Sequence, residues 1–198
     1  MKKTKNFRQQ FNKRYDSLVT KSESILEHYT CPETCDAKCC KYSPINFNNR
    51  EYHEIVRKVD KDSAAILKSR SVFAPIKSGF YKQFPTCVCP LLKESKCSIY
   101  KNRPETCEKF PFEIVQNSAT GSNLQLRICP LSMIIIRDYI QWLNLSTDHE
   151  TANLFTEVYE EHKNIDAVSI NVITFDEHDI DSFDSFVSWL EKNTEKIE

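Results

Sequence analysis

The sequence predicts a mainly helical α+β fold: a single domain of helices and short β-hairpins, followed by a C-terminal strand–helix extension. Near both ends of the 198-residue chain, apolar residues recur at the three- and four-residue spacing of amphipathic helices. The middle part loses this spacing and shows short runs bounded by proline, which are typical of small hairpins. All nine cysteines lie between residues 31 and 129. We therefore expect the helices to pack around a cysteine-lined centre.

The first amphipathic helix is predicted over residues 5–29, and Pro32 follows its end. One face of this helix is expected to carry Phe7, Phe11, Tyr15, Leu18, Ser22, Ile25 and Tyr29. Further along, Asn48 and Glu51 have the spacing of a capping box for a short helix that extends to Val59. Asp62 is predicted to cap the next helix. Both short helices are interpreted as scaffold.

Short strands and one short helix are predicted between residues 72 and 129. Phe80–Phe84 and Ser98–Tyr100 have the composition of strands. Pro104 suits the first position of a helix that would present Cys107. Residues 112–116 and 124–129 alternate around a polar turn, which predicts a hairpin that returns Cys129 towards the other cysteines.

The C-terminal part is predicted to contain the central core helix and an appended strand–helix unit. Residues 131–145 are the most apolar helical segment, and residues 149–163 form the next helix. A β-branched strand is predicted over 167–175, and a last helix begins near Asp179. The predicted domains are an N-terminal helix (1–30), a cysteine-cluster domain (31–147) and an acidic helical extension packed on it (148–198).

Charge is distributed unevenly along the chain. Residues 148–198 hold 14 acidic and 3 basic side chains, whereas the rest of the chain has a net charge of +10. An acidic extension docked near a basic body explains this split, as does simple solvation. We do not expect the basic N-terminal run to bind nucleic acid, because its aromatic residues have the spacing of a helix core.

Cysteine usage favours a reduced, cytoplasmic protein that binds metal over a disulfide-bonded one. The N-terminus is basic but has no apolar segment of a signal peptide behind it, and no stretch is long enough to span a membrane. An odd number of cysteines and the adjacent pair Cys39–Cys40 also fit a disulfide framework poorly. Glycine occurs only at Gly79 and Gly121, which excludes the common glycine-rich nucleotide-binding loops.

The cysteine spacing leaves iron–sulfur and zinc open, with iron–sulfur favoured. Four cysteines suit either tetrahedral zinc or an iron–sulfur cluster. The chain contains no Cys-x-x-Cys pair of the kind that zinc ribbons use, and Cys39 and Cys40 are expected to point in different directions. His28 could be a further ligand, although a histidine at a helix end more often caps carbonyls. Arg103 could bond cluster sulfurs or nearby carbonyls.

The segment from Cys89 to Phe112, which reads CPLLKESKCSIYKNRPETCEKFPF, resembles the second motif of the YkgJ-type cysteine-cluster family. That family is named for a CxxCxxCC domain thought to chelate zinc or iron. Its first motif resembles residues 31–40, although both intervals here contain three residues instead of two. Cys87 is extra. The resemblance implies metal binding by Cys31, Cys35, Cys39, Cys40, Cys89, Cys97, Cys107 and Cys129.

Three functions are compatible with these observations. The first is a metal-binding protein whose [4Fe-4S] cluster has a structural or redox role. The second is a zinc-binding interaction module. The third is an enzyme related to protein-lysine methyltransferases that use S-adenosylmethionine, since a related domain with an iron–sulfur cluster occurs in flagellin lysine N-methylases. No S-adenosylmethionine loop or catalytic set is recognisable, so enzymatic activity and any protein partner stay open.

Overall fold

The computed structural model describes residues 2–32, 35–76, 79–85, 88–117, 121–169 and 171–193. Within these ranges it describes the backbone but not the side chains of residues 2–12, 74–76, 79–82, 116–117 and 121. Cys87 and the side chains of Phe7 and Phe11 therefore lie outside the described part. The chain forms two compact units. We call residues 1–32 with 111–198 the terminal unit, and residues 33–110 the cysteine unit.

The structure confirms the mainly helical α+β class. The helices are α1 (Lys2–Leu26), α2 (Lys38–Tyr42), α3 (Asn49–Lys58), α4 (Lys61–Arg70), α5 (Glu105–Glu108), α6 (Pro130–Leu145), α7 (His149–His162) and α8 (Glu177–Asn193). The strands are β1 (Ile45–Phe47), β2 (Val72–Ile76), β3 (Gly79–Phe84), β4 (Leu92–Lys93), β5 (Lys96–Cys97), β6 (Phe112–Asn117), β7 (Gly121–Arg127) and β8 (Val172–Thr174).

The terminal unit is built on an antiparallel sheet in the order β6–β7–β8. The predicted hairpin is confirmed, since Phe112 pairs with Leu126, and β8 adds on the other side of β7 through Ile173. Helix α6 packs against α7 and α8. Its Tyr139 is 1% exposed and is surrounded by aromatic rings, so this segment is the core helix that the sequence predicts. The rings around it are Trp142, Phe155, Phe175, Phe183 and Phe186.

Helix α8 of the acidic C-terminal segment packs against α1. Lys21 Nζ lies 2.7 Å from Asp184 Oδ2, and Arg14 pairs with Glu177 at 2.6 Å. Exposed pairs of this kind stabilise a fold little, so apolar packing between the helices contributes more. Leu18 and Ile25 of α1 are both buried. The domain division at residues 30 and 147 stays a prediction.

The cysteine unit has an antiparallel sheet in the order β1–β3–β2 and a separate β4–β5 hairpin. Helices α3 and α4 contact each other, and α3 also packs against β1 and β3. The core consists of buried apolar side chains from these elements and from the segment that carries Cys89. Its members are Ile45, Phe47, Tyr52, Ile55, Leu67, Phe84, Cys89 and Leu91, with Cys40 and Cys107 packed against it. The thiols of these three cysteines thus lie in the core or against it.

Three local predictions are wrong. Asp60, not Asp62, is the N-cap of α4, because its side chain accepts a hydrogen bond from the Ser63 amide. Residues 98–100 are not a strand, since the chain there turns into a short 3₁₀ helix over Tyr100–Asn102. Pro104 is the N-cap of α5 and not its first residue.

Among the described residues, no helix combines the length and the apolar character that a membrane crossing requires.

Candidate metal centre

Cys39 and Cys40 lie on the five-residue helix α2. The chain reaches this helix through a left-handed turn at Asp36 (φ 46°) and Ala37 (φ 51°), which non-glycine residues adopt rarely. The Sγ atoms of Cys39 and Cys40 are 4.0 Å apart. Successive helical positions diverge by about 100°, so the sequence predicts that these thiols point apart; the structure brings them within hydrogen-bonding reach. The thiols of the two adjacent cysteines therefore lie close together.

Two hydrogen bonds tie α2 and the turn before it to the second cysteine stretch. The Cys89 amide donates to the Cys40 carbonyl at 2.8 Å, and the Ser95 hydroxyl donates to Asp36 Oδ1 at 2.6 Å. Ser95 lies in the two-residue turn of the β4–β5 hairpin, which presents Cys97. Lys41 pairs with the same Asp36 carboxylate, and this bond is the main reason that the pKa of Asp36 is lowered.

Helix α5 carries Cys107 and is fixed at its first residue. The Glu105 amide donates to Glu51 Oε1 at 2.9 Å, while the other Glu51 oxygen accepts from the Asn48 amide at 2.8 Å. The Asn48 side chain accepts in turn from the Glu51 amide, so the predicted capping box of α3 is confirmed. One carboxylate therefore joins the N-termini of α3 and α5. The sequence predicts Glu51 only as a cap, and its link to Cys107 requires the fold.

Four thiols of the cysteine unit lie close enough to influence each other's ionisation. A hydrogen bond from Cys39 lowers the pKa of Cys40 to about 7. Burial raises the pKa of Cys89 to about 11 and that of Cys107 to about 12. Burial also raises the pKa of Cys97. The charge of Cys40 adds to the increase at each of the other three thiols.

The Arg103 side chain lies beside these thiols. Its positive charge lowers the pKa of Cys40, Cys97 and Cys107, although burial outweighs it at the last two. Its guanidinium carbon is 4.0 Å from the centroid of the Tyr100 ring, which is a cation–π contact. The Arg103 Nε atom is buried and has no hydrogen-bond partner among the described residues.

The remaining predicted site residues are distributed differently. Cys35 is buried in the cysteine unit, just before the left-handed turn. Cys31 is exposed and Cys129 buried, and both belong to the terminal unit. Cys129 caps helix α6: its sulfur accepts from the Ser132 amide at 3.4 Å, and the Ser132 hydroxyl accepts from the Cys129 amide. His28 lies in the turn after α1, and a metal role for it stays a hypothesis.

The donor set fits a cysteine-ligated metal. Among the described residues, no disulfide joins two of the eight cysteines, and the buried Arg103 Nε–H finds no acceptor there, which a thiolate or a sulfide would provide. Within the part of the chain that the structure describes, no three His, Cys, Asp or Glu side chains are arranged to hold one metal ion. The thiols are thus neighbours without forming a ready coordination shell for a single ion.

Neighbouring thiols with an arginine beside them are typical of a protein of the cysteine-ligated metal-binding class. Residues 30–130, just over half of the chain, match the CxxCxxCC family, described as a "putative zinc- or iron-chelating domain". The chain belongs to this family, and its membership supports metal binding. The searches of curated proteins and of solved structures returned no match. The finer resemblance to YkgJ-type proteins stays a prediction.

Metal binding by the reduced, metal-free protein should release protons. Near pH 7, Cys40 is about half ionised, whereas Cys89 and Cys107, with pKa values of about 11 and 12, are protonated. Burial raises the pKa of Cys97, so this thiol is protonated as well, and a metal that binds all four thiols would release roughly three to four protons. The logarithm of the apparent Zn²⁺ affinity should then rise by about 3 to 4 per pH unit. Calorimetry in buffers of different ionisation enthalpy measures this number.

The stability of the metal-free protein depends on pH in the opposite direction to its metal affinity: it should fall as the pH rises. The pKa of Cys107 is raised from 9.0 to about 12, so the folded state favours the neutral thiol. This contribution to stability is complete below pH 9 and is lost as the pH rises towards 12. Release of a single proton on binding, or metal-free stability that is constant from pH 8 to 11, would contradict the assignment of these thiols.

Proposed function

We propose that the cysteine unit holds a [4Fe-4S] cluster with a structural or redox role. Cys40, Cys89, Cys97 and Cys107 are the proposed ligands. The observation that carries the proposal is the grouping of these four thiols, three of them within reach of the charge of Arg103, whose buried Nε–H has no acceptor among the described residues. A bound cluster would supply one-electron chemistry and negatively charged sulfurs that accept hydrogen bonds.

The chemistry of the thiols also supports a bound cluster. Bringing together several thiolates in a buried core is costly because of desolvation and mutual repulsion, and this cost appears here as raised pKa values. Bound iron offsets much of that negative charge. We propose a cytoplasmic location, since a reducing compartment keeps such thiols available for metal.

Zinc is the second candidate, and one distance favours it. With zinc–sulfur bonds of about 2.3 Å, two thiolates on one tetrahedral ion are separated by about 3.8 Å. The Sγ atoms of Cys39 and Cys40 are 4.0 Å apart, close to that separation. A zinc site would therefore use both adjacent cysteines, whereas the proposed cluster uses Cys40 alone.

Anaerobic purification followed by analysis of iron, zinc and acid-labile sulfide separates the two candidates. We expect about four iron atoms and about four sulfides per chain, with the brown colour of sulfur-to-iron charge transfer. Stoichiometric zinc without sulfide, in cells supplied with iron, would overturn the cluster and support the zinc site. Absence of both metals from reduced, folded protein would overturn both candidates.

A further inference from the structure

Arg103 has a buried polar atom whose hydrogen-bonding capacity is unused. Its Nε atom is buried, and it finds no acceptor among the described residues. Buried donors are paired in nearly all native structures, because leaving one unpaired costs the whole loss of its hydration. The position is therefore expected to have an acceptor when the protein is loaded.

The local chain holds this donor in place. Arg103 precedes Pro104, a context that favours extended backbone, and its torsions (φ −62°, ψ 154°) are extended. The Tyr100 ring lies 4.0 Å from the guanidinium carbon and supports the head group from one side. Pro104 is the N-cap of the helix that carries Cys107. The guanidinium is thus linked through one residue to the helix of a proposed ligand.

On the sides that the Tyr100 ring does not cover, three thiols lie close enough to the guanidinium for its charge to act on them. Cys40 comes from α2, Cys97 from β5 and Cys107 from α5, and the charge of Arg103 acts on all three. An acceptor at this position is consequently expected to be sulfur.

We propose that Arg103 is a positioning residue of the metal centre, whose Nε–H donates a hydrogen bond to a sulfur of the bound centre, with the Tyr100 ring as its support. The inference rests on the proposed function only in requiring a cysteine-held centre. This role of Arg103 has two consequences. The hydrogen bond slows loss of the metal, and for a redox-active cluster it raises the reduction potential, because the reduced state carries more negative charge on its sulfurs.

Four substitutions test this role. Arg103→Lys keeps the positive charge but loses the planar Nε donor, and Arg103→Met loses both. Tyr100→Ala removes the supporting ring, whereas Tyr100→Phe keeps it. Arg50→Met is the matched control, because Arg50 is an arginine of the same unit that is 87% exposed and pairs with Glu54. Each variant is purified anaerobically and analysed for metal and sulfide before further measurement.

The first readout is the midpoint potential of the cluster from a spectroscopically monitored redox titration. Arg103→Met should lower the reduced-to-oxidised ratio at fixed potential at least tenfold, a shift of about 59 mV for one electron. Arg103→Lys and Tyr100→Ala should shift the potential in the same direction by less. Arg50→Met and Tyr100→Phe should leave it unchanged. A role in folding alone would lower stability but would not move the potential of the variants that load fully.

The second readout is the rate at which a chelator removes the metal, and it applies to iron and zinc alike. Arg103→Met and Arg103→Lys should both lose metal at least tenfold faster than the control. If the wild type carries zinc without sulfide, the cluster proposal fails and this rate alone decides the role of Arg103. If the wild type carries the cluster and both Arg103 variants match the control in rate and potential, the inference is overturned while the proposed function stands. If the Arg103 variants do not fold, the two Tyr100 variants decide. Tyr100→Ala must then differ from Tyr100→Phe in the rate of metal loss or in the midpoint potential, and equal values would overturn the inference.

Discussion

Replacing Cys107 with serine should reduce the metal bound per chain at least tenfold and destabilise the protein by about 3 kcal/mol or more. Binding energy at a cysteine-ligated site is folding energy, because the ligands are brought together only in the folded state. Cys107 packs against the core of the cysteine unit, where a serine hydroxyl would replace the thiol of a proposed ligand. Metal and sulfide analysis with thermal unfolding measures both effects.

Cys129→Ser is the matched control for this substitution. Serine is a preferred N-cap residue and can accept the bond that the Cys129 sulfur accepts from the Ser132 amide. We therefore expect α6 to stay capped and the metal content to stay unchanged. Equal metal loss in the two variants would make Cys129 a ligand, as the family resemblance implies. Normal metal content and melting in Cys107→Ser would remove Cys107 from the proposed ligand set.

Cys39→Ala should reduce the metal content less than Cys107→Ser if the cluster uses Cys40 alone. Cys39 lowers the pKa of Cys40 through the hydrogen bond between their thiols, and alanine has no donor, so the substitution makes Cys40 harder to ionise. Metal content equal to that of Cys107→Ser would favour the zinc candidate, in which both adjacent thiols are ligands.

The elements in which a regular apolar spacing continues over many residues could be predicted directly from the sequence. Helices α6 and α8 and the β6–β7 hairpin were all predictable, because each buries one continuous face against the core of the terminal unit. The β4–β5 hairpin was not predictable. Its turn places Glu94 and Ser95 at positive φ, where glycine and asparagine are the usual residues. A bond from Ser95 to Asp36, distant in sequence, helps to hold it.

The candidate site was predictable in its residue types but not in its arrangement. The family resemblance treats eight cysteines alike, whereas the structure describes six of them in the cysteine unit and two in the terminal unit. Cysteine is not among the residues that usually cap helices, so the capping role of Cys129 required its geometry. The proximity of the Cys39 and Cys40 thiols depends on side-chain rotamers, which a one-dimensional pattern does not contain.

Glu51→Ala should destabilise the cysteine unit by about 2–3 kcal/mol and weaken metal binding through Cys107. The substitution removes a carboxylate that accepts hydrogen bonds from the amides of Asn48 and Glu105. Each lost bond leaves a helix N-terminal amide without its partner, which costs about 1 kcal/mol or more. The α5 helix has only four residues, so it has little stability of its own and depends on this anchor.

Two further substitutions separate the anchor from a general effect of charge. Glu51→Gln keeps one carbonyl oxygen, and hence one of the two bonds, so its effect on chemical denaturation should be intermediate. Glu54→Ala removes an exposed carboxylate one turn along the same helix, where it pairs with Arg50 in an exposed contact, and should leave stability and metal content unchanged. Metal should be lost faster to a chelator from Glu51→Ala than from Glu54→Ala. Equal rates in these two variants, with stability lowered only in the first, would show that Glu51 supports α3 without positioning Cys107.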